Sequence, residues 1–572
     1  MQHYSKSILI MARVFIFSLV LLSLIISHYN LAQCDTVRYQ NPICETYTTY
    51  ENVKYGEATV WNIPYNNTDL YMNVYTPNND TLSKRPLMIW VHSGGFLNGN
   101  KEHDDIVALC DSFVKRGYVT ATIDYRKGFN PTSSTSAERA VYRGVQDLRA
   151  AIRYLKEHHI TYGIDTNYTF IGGSSAGAFS TLQLVYMEQY EAPPSIGSGI
   201  GYPALGCLDC EGNNYVHNMD ISGYVALWGA VGDSNWVSPH ETTPGLLIHG
   251  TTDGTVPYGV GHPFGVPTTP ITHGTRSVAN QLSALNIPYT TYIVEGEGHE
   301  FHGASNGTWN NPPTAYYDTI FNLINTHYSE ILRQEVQPII GDDIVCPFDT
   351  IIYEINIPVG FTSCWEVDNA TIIESNNNQV KVVVGETNPV SIKSKQYSEI
   401  AAYNGTSIKT VEVSQIENVN FIYFDDNLEV SFILPNNNYV VYYWDFGDGS
   451  FSSDENPIHN YGAAGEYEVT LTIETINGCI FSKTKVINIQ TSAVSEETFE
   501  YKIYPNPASD EVHIYTNNNI LSIALTDLNG RVVFDDESIN TNQILIKLNQ
   551  LEKGIYFLNF NGGEVVEKIV VN

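Results

Sequence analysis

Residues 172–180 read GGSSAGAFS and place Ser175 at the centre of a G-x-S-x-G pattern. A serine hydroxyl attacks a carbonyl well only when a base takes its proton, and a sharp strand-to-helix turn exposes its oxygen to that base. Glycines at 173 and 177 suit a place where strand and helix crowd together. Three further segments carry the groups that such chemistry needs. WVHSGGFLNG (90–99) has adjacent glycines, Gly94 and Gly95, whose backbone N–H groups can point at a developing oxyanion. Asp253 stands in HGTTDGTVP (249–257) and His299 in EGEGHEFHG (295–303), each just past an apolar run. The order Ser, Asp, His is the one expected when later strands serve a serine on such an elbow.

Bland readings compete at neighbouring positions. GASNG (303–307) repeats the pattern around Ser305 with no strand before it, which marks a chance match. Asp233, after the preceding strand, is the alternative acid. His92 reads as a loop-shaping residue and Ser174 as structural. Phe96, Tyr202, Trp228, Trp236, Trp309 and His302 are candidates for the substrate pocket. A Gly, Pro and Thr-rich loop from Gly254 to Thr275, and an insertion at 203–220 bearing Cys207 and Cys210, are expected to overhang that pocket.

The elements that must position these residues alternate between strand and helix over 34–335. RPLMIWVH (85–92), YVTATIDY (118–125), YTFIGG, YVALWGAV, GLLIHG and YTTYIVEG read as strands. Val141, Val145, Leu148, Ile152 and Leu155 recur at helical spacing and predict one helix with a core-facing stripe. This is the pattern of an α/β domain with a mostly parallel sheet and helices on both faces. Beyond Val336 the chain turns to short alternating strands with Asn and Gly turns, an all-β pattern. Arg531 is the only arginine after Arg333, and this composition break marks a boundary. The predicted division is 34–335, then β units at 338–415, 416–491 and 499–572.

A length of 572 residues predicts several domains, and 43% hydrophobic residues exclude a disordered chain. The 29 basic residues face 62 acidic ones, so a phosphate backbone would be repelled and nucleic acid is excluded as a partner. Lys6 and Arg13 precede the apolar run 14–26, which predicts an export signal over 1–33. That run is shorter than the ~20 residues of a membrane-spanning helix. In an exported chain the eight cysteines favour disulfides. The expected pairs are Cys34–Cys44, Cys207–Cys210 and Cys346–Cys364, with Cys110 a buried free thiol. CLDC lacks the second Cys/His pair that zinc needs, and there is no phosphate loop, HExxH or dinucleotide fingerprint, so neither metal nor cofactor is expected.

Residues 70–330 resemble an α/β-hydrolase of the carboxylesterase and feruloyl-esterase-like group, through the HSGG loop, the elbow, the Asp253 strand end and the late Gly298-His299. The resemblance implies Ser175 as nucleophile, His299 as base and then acid, Asp253 as orienting carboxylate, and the amides of Gly94 or Gly95 and of Ala176 as oxyanion donors. Asp124 in DYRKGF and Ser93 in HSGG depart from that group's Asn and Gly. YYWDFGDGSFSSDENPIHNYGAAGEYEVTLTI (442–473) resembles a PKD module, an immunoglobulin-like sandwich, and 338–415 resembles a weaker relative. YPNP, DLNGRVV and GIYFLNFNGG resemble the C-terminal sorting domain of type IX secretion substrates over 501–572. Together these imply a secreted or surface-attached serine ester hydrolase that acts on acetyl or feruloyl esters of polysaccharide and engages the type IX machinery. The alternatives are a prolyl-oligopeptidase-like peptidase and an adhesion protein with a vestigial hydrolase.

Overall fold

The computed structural model describes residues 37–310, 312–414, 419–435, 439–490, 500–536, 539–560 and 565–572. The export signal expected over 1–33, and Cys34, lie outside the described residues.

The N-terminal α/β unit is built on one eight-stranded sheet. Its strands are β1 (Tyr47–Thr59), β2 (Asn67–Pro77), β3 (Arg85–Val91), β4 (Val119–Ile123), β5 (Ile164–Ser174), β6 (Gly223–Leu227), β7 (Gly245–Gly250) and β8 (Tyr289–Val294). They lie in the order β1-β2-β4-β3-β5-β6-β7-β8, antiparallel up to β4 and parallel from there on. Every residue of β3, β4, β6 and β7 is buried, as expected of strands covered on both faces. The covering helices are α1 (Asp104–Val114), α2 (Ser134–Glu157), α3 (Ala176–Tyr186), α4 (Thr275–Ala284) and α5 (Ala315–Ile331).

Helix α2 starts where the Ser133 hydroxyl accepts the Ser136 amide at 3.2 Å, an N-cap. Its Val145, Leu148, Ile152 and Leu155 then enter one apolar cluster with residues of α3 and α4. Helices α1 and α5 fill the other face through Ile106, Leu109, Phe113, Ile320, Ile324 and Tyr328. The six expected strands are all present. The hairpin β1–β2 and helix α4 were not expected, since β1 is largely exposed and α4 lies just past the Gly/Pro-rich loop.

The chain passes from β3 to β4 on one side, then returns past β3 to β5 on the other. Such a reversal leaves a crevice beyond the carboxyl ends of the two central strands, where open α/β sheets bind ligands. Here β3 delivers the HSGG loop and β5 delivers Ser175 into that crevice.

Three apolar cores follow, each between two sheets: around Tyr353, Trp365 and Val382, around Phe432, Trp444 and Leu471, and around Ile514, Leu525 and Leu558. The first of these modules touches the α/β unit. Ile400 and Ala402 share a cluster with Tyr39, Phe113 and Tyr118, and the Tyr39 hydroxyl donates to the Ile400 carbonyl at 2.9 Å.

Cys207 pairs with Cys210 as expected, and Cys110 is a buried free thiol. The other two expectations fail. Cys44 is free, and Cys346 pairs with Cys479, 133 residues away, not with Cys364. The reason is geometric. Ile344–Val345 and Thr362–Asp368 are the two outer strands of a four-stranded sheet, so about 14 Å separates them at ~4.8 Å per strand, against the roughly 4.4–6.8 Å between Cα atoms that a disulfide requires. Cys364 is itself disulfide-bonded.

The Cys346–Cys479 bond joins the first β module to the second. Loop-closure entropy for such a span corresponds to about 5 kcal/mol. The double variant Cys346→Ser/Cys479→Ser is expected to lower the β-module transition by more than ~4 °C in scanning calorimetry. An unshifted transition would show that the bond carries no stability.

Candidate active site

Strand β5 ends at Ser174 and α3 begins at Ala176, so Ser175 alone makes the turn, with φ 53° and ψ −112°. A non-glycine residue held there costs about 1–3 kcal/mol and persists only when its surroundings enforce it. The enforcement is visible. The Ser175 amide donates to the Leu227 carbonyl at 3.0 Å. A Cβ on Gly177 would sit 2.0 Å from the Val91 oxygen, and one on Gly173 would sit 2.2 Å from the Gly177 carbonyl carbon. Only glycine permits that closeness.

Ser175 Oγ lies 2.9 Å from His299 Nε2, and His299 Nδ1 lies 2.7 Å from Asp253 Oδ2. The three residues follow β5, β8 and β7, whose parallel course brings their carboxyl ends to one edge. A carboxylate only accepts, so the proton of neutral His299 sits on Nδ1 and the Nε2 lone pair faces the serine hydroxyl. The group is arranged to take a proton from Ser175.

Asp253 is completely enclosed and fully engaged. Its Oδ1 accepts the amides of Thr255 and Val256, both at 2.8 Å, and its Oδ2 faces His299 and also His249 Nε2 at 3.2 Å. Burial alone would raise its pKa, but the hydrogen bonds from His249 and His299 outweigh it and hold the carboxyl well below the usual carboxylate range. His249 is a residue that sequence reasoning missed. It stands four positions before Asp253 in HGTTD, fully buried, with Nδ1 2.9 Å from the Thr275 hydroxyl.

Ala176 is the first residue of α3, so its N–H has no acceptor within the helix. It lines, with Ser175 and Gly95, a cavity of ≈ 510 Å³ including its open mouth. Gly94 does not line it; its carbonyl closes the turn by accepting the Leu97 and Asn98 amides at 3.0 Å. The arrangement can hold a carbonyl carbon against Ser175 with its oxygen toward the amides of Gly95 and Ala176.

The cavity wall is apolar, formed by Phe96, Phe129, Val141, Phe179, Phe264 and Pro270. Of the expected lining residues, Phe96 is there and Trp236 borders an adjoining cavity that shares Val141 and Phe179. The others lie outside these two cavities. Trp228 is wholly buried beneath the site, donating through Nε1 to Ser174 Oγ at 3.1 Å. His302 packs on Trp228, ring centroids 4.6 Å apart, and Trp309 stands behind His302. Tyr202 lies under the Arg139 guanidinium at 4.4 Å. The buried rings of Trp228 and His302 fill gaps between elements, a role that no local spacing distinguishes from pocket lining.

The loop after Asp253 does reach the cavity, through Val256, Pro263, Phe264, Thr269, Pro270 and Thr272. The insertion 203–220 does not, because α2 holds it elsewhere: Asp209 pairs with Arg149 and Arg153, and Asn218 receives Lys156. Phe179 had a readable signal, one helical turn past Ser175. Asp233 caps a short turn by accepting the Asn235 amide at 2.9 Å, and Ser305 is exposed in a small hairpin, so neither joins the cluster. His92 is buried and stacked on Tyr125, and burial pushes its pKa well below the usual value.

The BD-FAE family model matches residues 72–192, a PKD domain model matches 425–490, and the secretion system C-terminal sorting domain model matches 502–572. The chain is 35% identical over 128 residues to carboxylesterase 1D of Mus musculus and 36% identical over 118 residues to gut esterase 1 of Caenorhabditis briggsae. These matches cover 22% and 20% of this chain, and the same shares of the relatives. The chain thus spans about a fifth of the length of the curated relatives it matches. Among solved structures, Thermogutta terrifontis esterase 2 phosphorylated by paraoxon aligns with 48% of this chain and 93% of its own, at 19% identity and a TM-score of 0.33.

The chain therefore combines an esterase-like α/β-hydrolase domain with a PKD domain and a type IX secretion C-terminal sorting domain. The sorting domain marks it for export to the cell surface or the medium. No helix among the described residues is long and apolar enough to cross a membrane.

A depressed carboxyl pKa contributes stability that is present above the unfolded value, about 3.9 for Asp, and lost as pH falls toward the folded one. Wild type is accordingly expected to be more stable than Asp253→Asn at pH 5, with the margin shrinking by pH 3 in urea unfolding. A margin that grows toward pH 3 would contradict the charge state assigned to Asp253.

Proposed function

We propose that the protein is an exported serine carboxylic-ester hydrolase working through an acyl-enzyme. The observation that carries this reading is the continuous line from Asp253 through His299 to Ser175 Oγ at the mouth of an apolar cavity. In the proposed reaction Ser175 Oγ bonds to the acyl carbon while its proton passes to His299 Nε2. The tetrahedral oxyanion is held by the amides of Gly95 and Ala176, with Gly94 shaping the loop, a type of contact worth about 3–4 kcal/mol per donor. His299 then protonates the departing alcohol as its C–O bond breaks. Water enters, gives a proton to His299 and attacks the acyl-enzyme; the acid leaves and Ser175 recovers its proton. Asp253 keeps the Nδ1–H tautomer and stabilises the imidazolium throughout.

The substrate class we infer is acetyl or feruloyl ester on polysaccharide, with short-chain esters generally as the simplest members. An aromatic and aliphatic wall with few polar groups favours an uncharged acyl group of modest size. We assign the units as 34–335 for catalysis, 338–415 and 416–491 as sandwich modules, and 499–572 for recognition by the type IX machinery.

Hydrolysis of nitrophenyl acetate and butyrate by the purified chain is expected to fall by ~10⁴-fold or more in Ser175→Ala. Equal rates for the two proteins would end the enzymatic reading. Phe264→Ala removes a ring from the cavity mouth, and is expected to raise kcat/KM for octanoate relative to acetate by roughly tenfold. An unchanged ratio would place the acyl chain elsewhere.

A further inference from the structure

In this acidic chain, three arginines converge on one cavity beside the candidate active site. Arg126, Arg139 and Arg143 line it together with Trp61, Tyr65 and Glu211, around a space of ≈ 600 Å³ including the open mouth. Helix α2 serves both cavities from adjoining faces. Ala137 and Val141 border the Ser175 cavity, and Arg139 and Arg143 border this one, each pair four residues apart. The segment leading into α2 does the same, with Arg126 here and Phe129 there.

The three arginines are not equally satisfied. Arg126 is neutralised by Asp147, with N···O contacts of 2.8 and 2.9 Å, and approaches Glu211 at 3.6 Å. Arg139 donates to the carbonyls of Ser195 and Gly197 at 2.8 and 3.0 Å, and to that of Pro203 at 2.5 Å. Arg143 is 3% exposed. Among the described residues its guanidinium makes one hydrogen bond, to the Gly128 carbonyl, no ion pair, and its Nε has no partner. Burial pushes its pKa down to about 9, helped by the like charge of Arg126. Asp147 attracts Arg143 as well but is already paired with Arg126, so two buried cations share one carboxylate, an arrangement that is unfavourable unless a ligand supplies a further negative charge.

The chemistry of the walls narrows that ligand. A guanidinium fork matches a carboxylate in plane and spacing. Glu211 would repel a bare anion, yet its oxygens can accept hydroxyl hydrogens, which favours a carboxylate borne on a polyol. Trp61 stands against the Gly128 backbone with part of its indole open to solvent, and Tyr65 lines the same cavity, offering flat surfaces for a ring.

We propose that this cavity binds a sugar carboxylate, a uronate residue of an acidic polysaccharide, with Arg143 as its counter-ion. Resting on the ester-hydrolase reading, the uronate holds the polymer whose ester enters the neighbouring Ser175 cavity.

The test uses the full-length Ser175→Ala chain, which needs no turnover, titrated calorimetrically with D-glucuronate, D-glucose and acetate. Saturable glucuronate binding is expected, weakening as salt rises, with glucose and acetate binding at least tenfold more weakly. Adding Arg143→Gln is expected to weaken glucuronate binding at least tenfold. Should that variant not fold, Trp61→Ala at the open mouth decides, with at least a threefold loss expected. Absent glucuronate binding, equal binding of acetate, or binding indifferent to both substitutions overturns the site. Wild-type chain inactive on nitrophenyl esters but with glucuronate binding intact overturns the hydrolase reading and leaves the site standing.

Discussion

A methyl group at Gly177 would lie 2.0 Å from the Val91 carbonyl oxygen, so helix α3 can approach β3 this closely only with glycine there. That contact brings the carboxyl end of β3 and the amino end of α3 together, and with them Gly95 and the Ala176 amide. Gly173 meets Gly177 in the same crowded corner, and the chain between them has room for a single strained residue. The strain at Ser175 is thus a consequence of packing, balanced by the burial of α3 against the sheet. Were the helix to move out, the serine would relax, and the oxyanion donors and the His299 contact would separate together.

Electrostatics completes the site around one buried anion. Asp253 receives two backbone amides and two imidazoles, and this coordination keeps it charged despite complete enclosure. His249 matters here as a positioning residue: it is fixed by Thr275 and the Val256 carbonyl, and it restricts Asp253 Oδ2 to the geometry that meets His299. The loop that starts at Asp253 also carries Phe264 and Pro270 over the cavity, so one segment orients the base and shapes the pocket.

Beyond the α/β unit the modules form a linked series. The first sandwich touches the α/β core at Ile400 and Ala402, and Cys346–Cys479 ties it to the second. For a chain carrying a sorting domain for export, a covalent link between modules suits a life outside the cell, where disulfides persist. The acidity that sets this chain apart is locally reversed where α2 and the segment before it gather arginines, a departure invisible in the net charge.

The residues of the candidate site were legible in the sequence because each belongs to a local signal. Ser175 follows an apolar run and precedes a helical one, while Asp253 and His299 each stand just past a strand. The parallel strands were legible too: β3, β4, β6 and β7 are buried along their whole length and read as mainly apolar runs, while β8 is only partly buried and shows itself by its β-branched and aromatic residues. What tertiary structure alone decided is everything set by distance between remote segments. Cys346 and Cys364 are near in sequence but about three strand spacings apart, roughly 14 Å, while Cys479 comes within reach only when two sandwiches meet. Trp228 and His302 look like pocket residues in one dimension and fill gaps in three, whereas Val141 on α2 and Phe129 in the segment leading into it become pocket walls beside Ser175. Residue type and spacing specify what a segment can do chemically; packing determines which other segment it does it with.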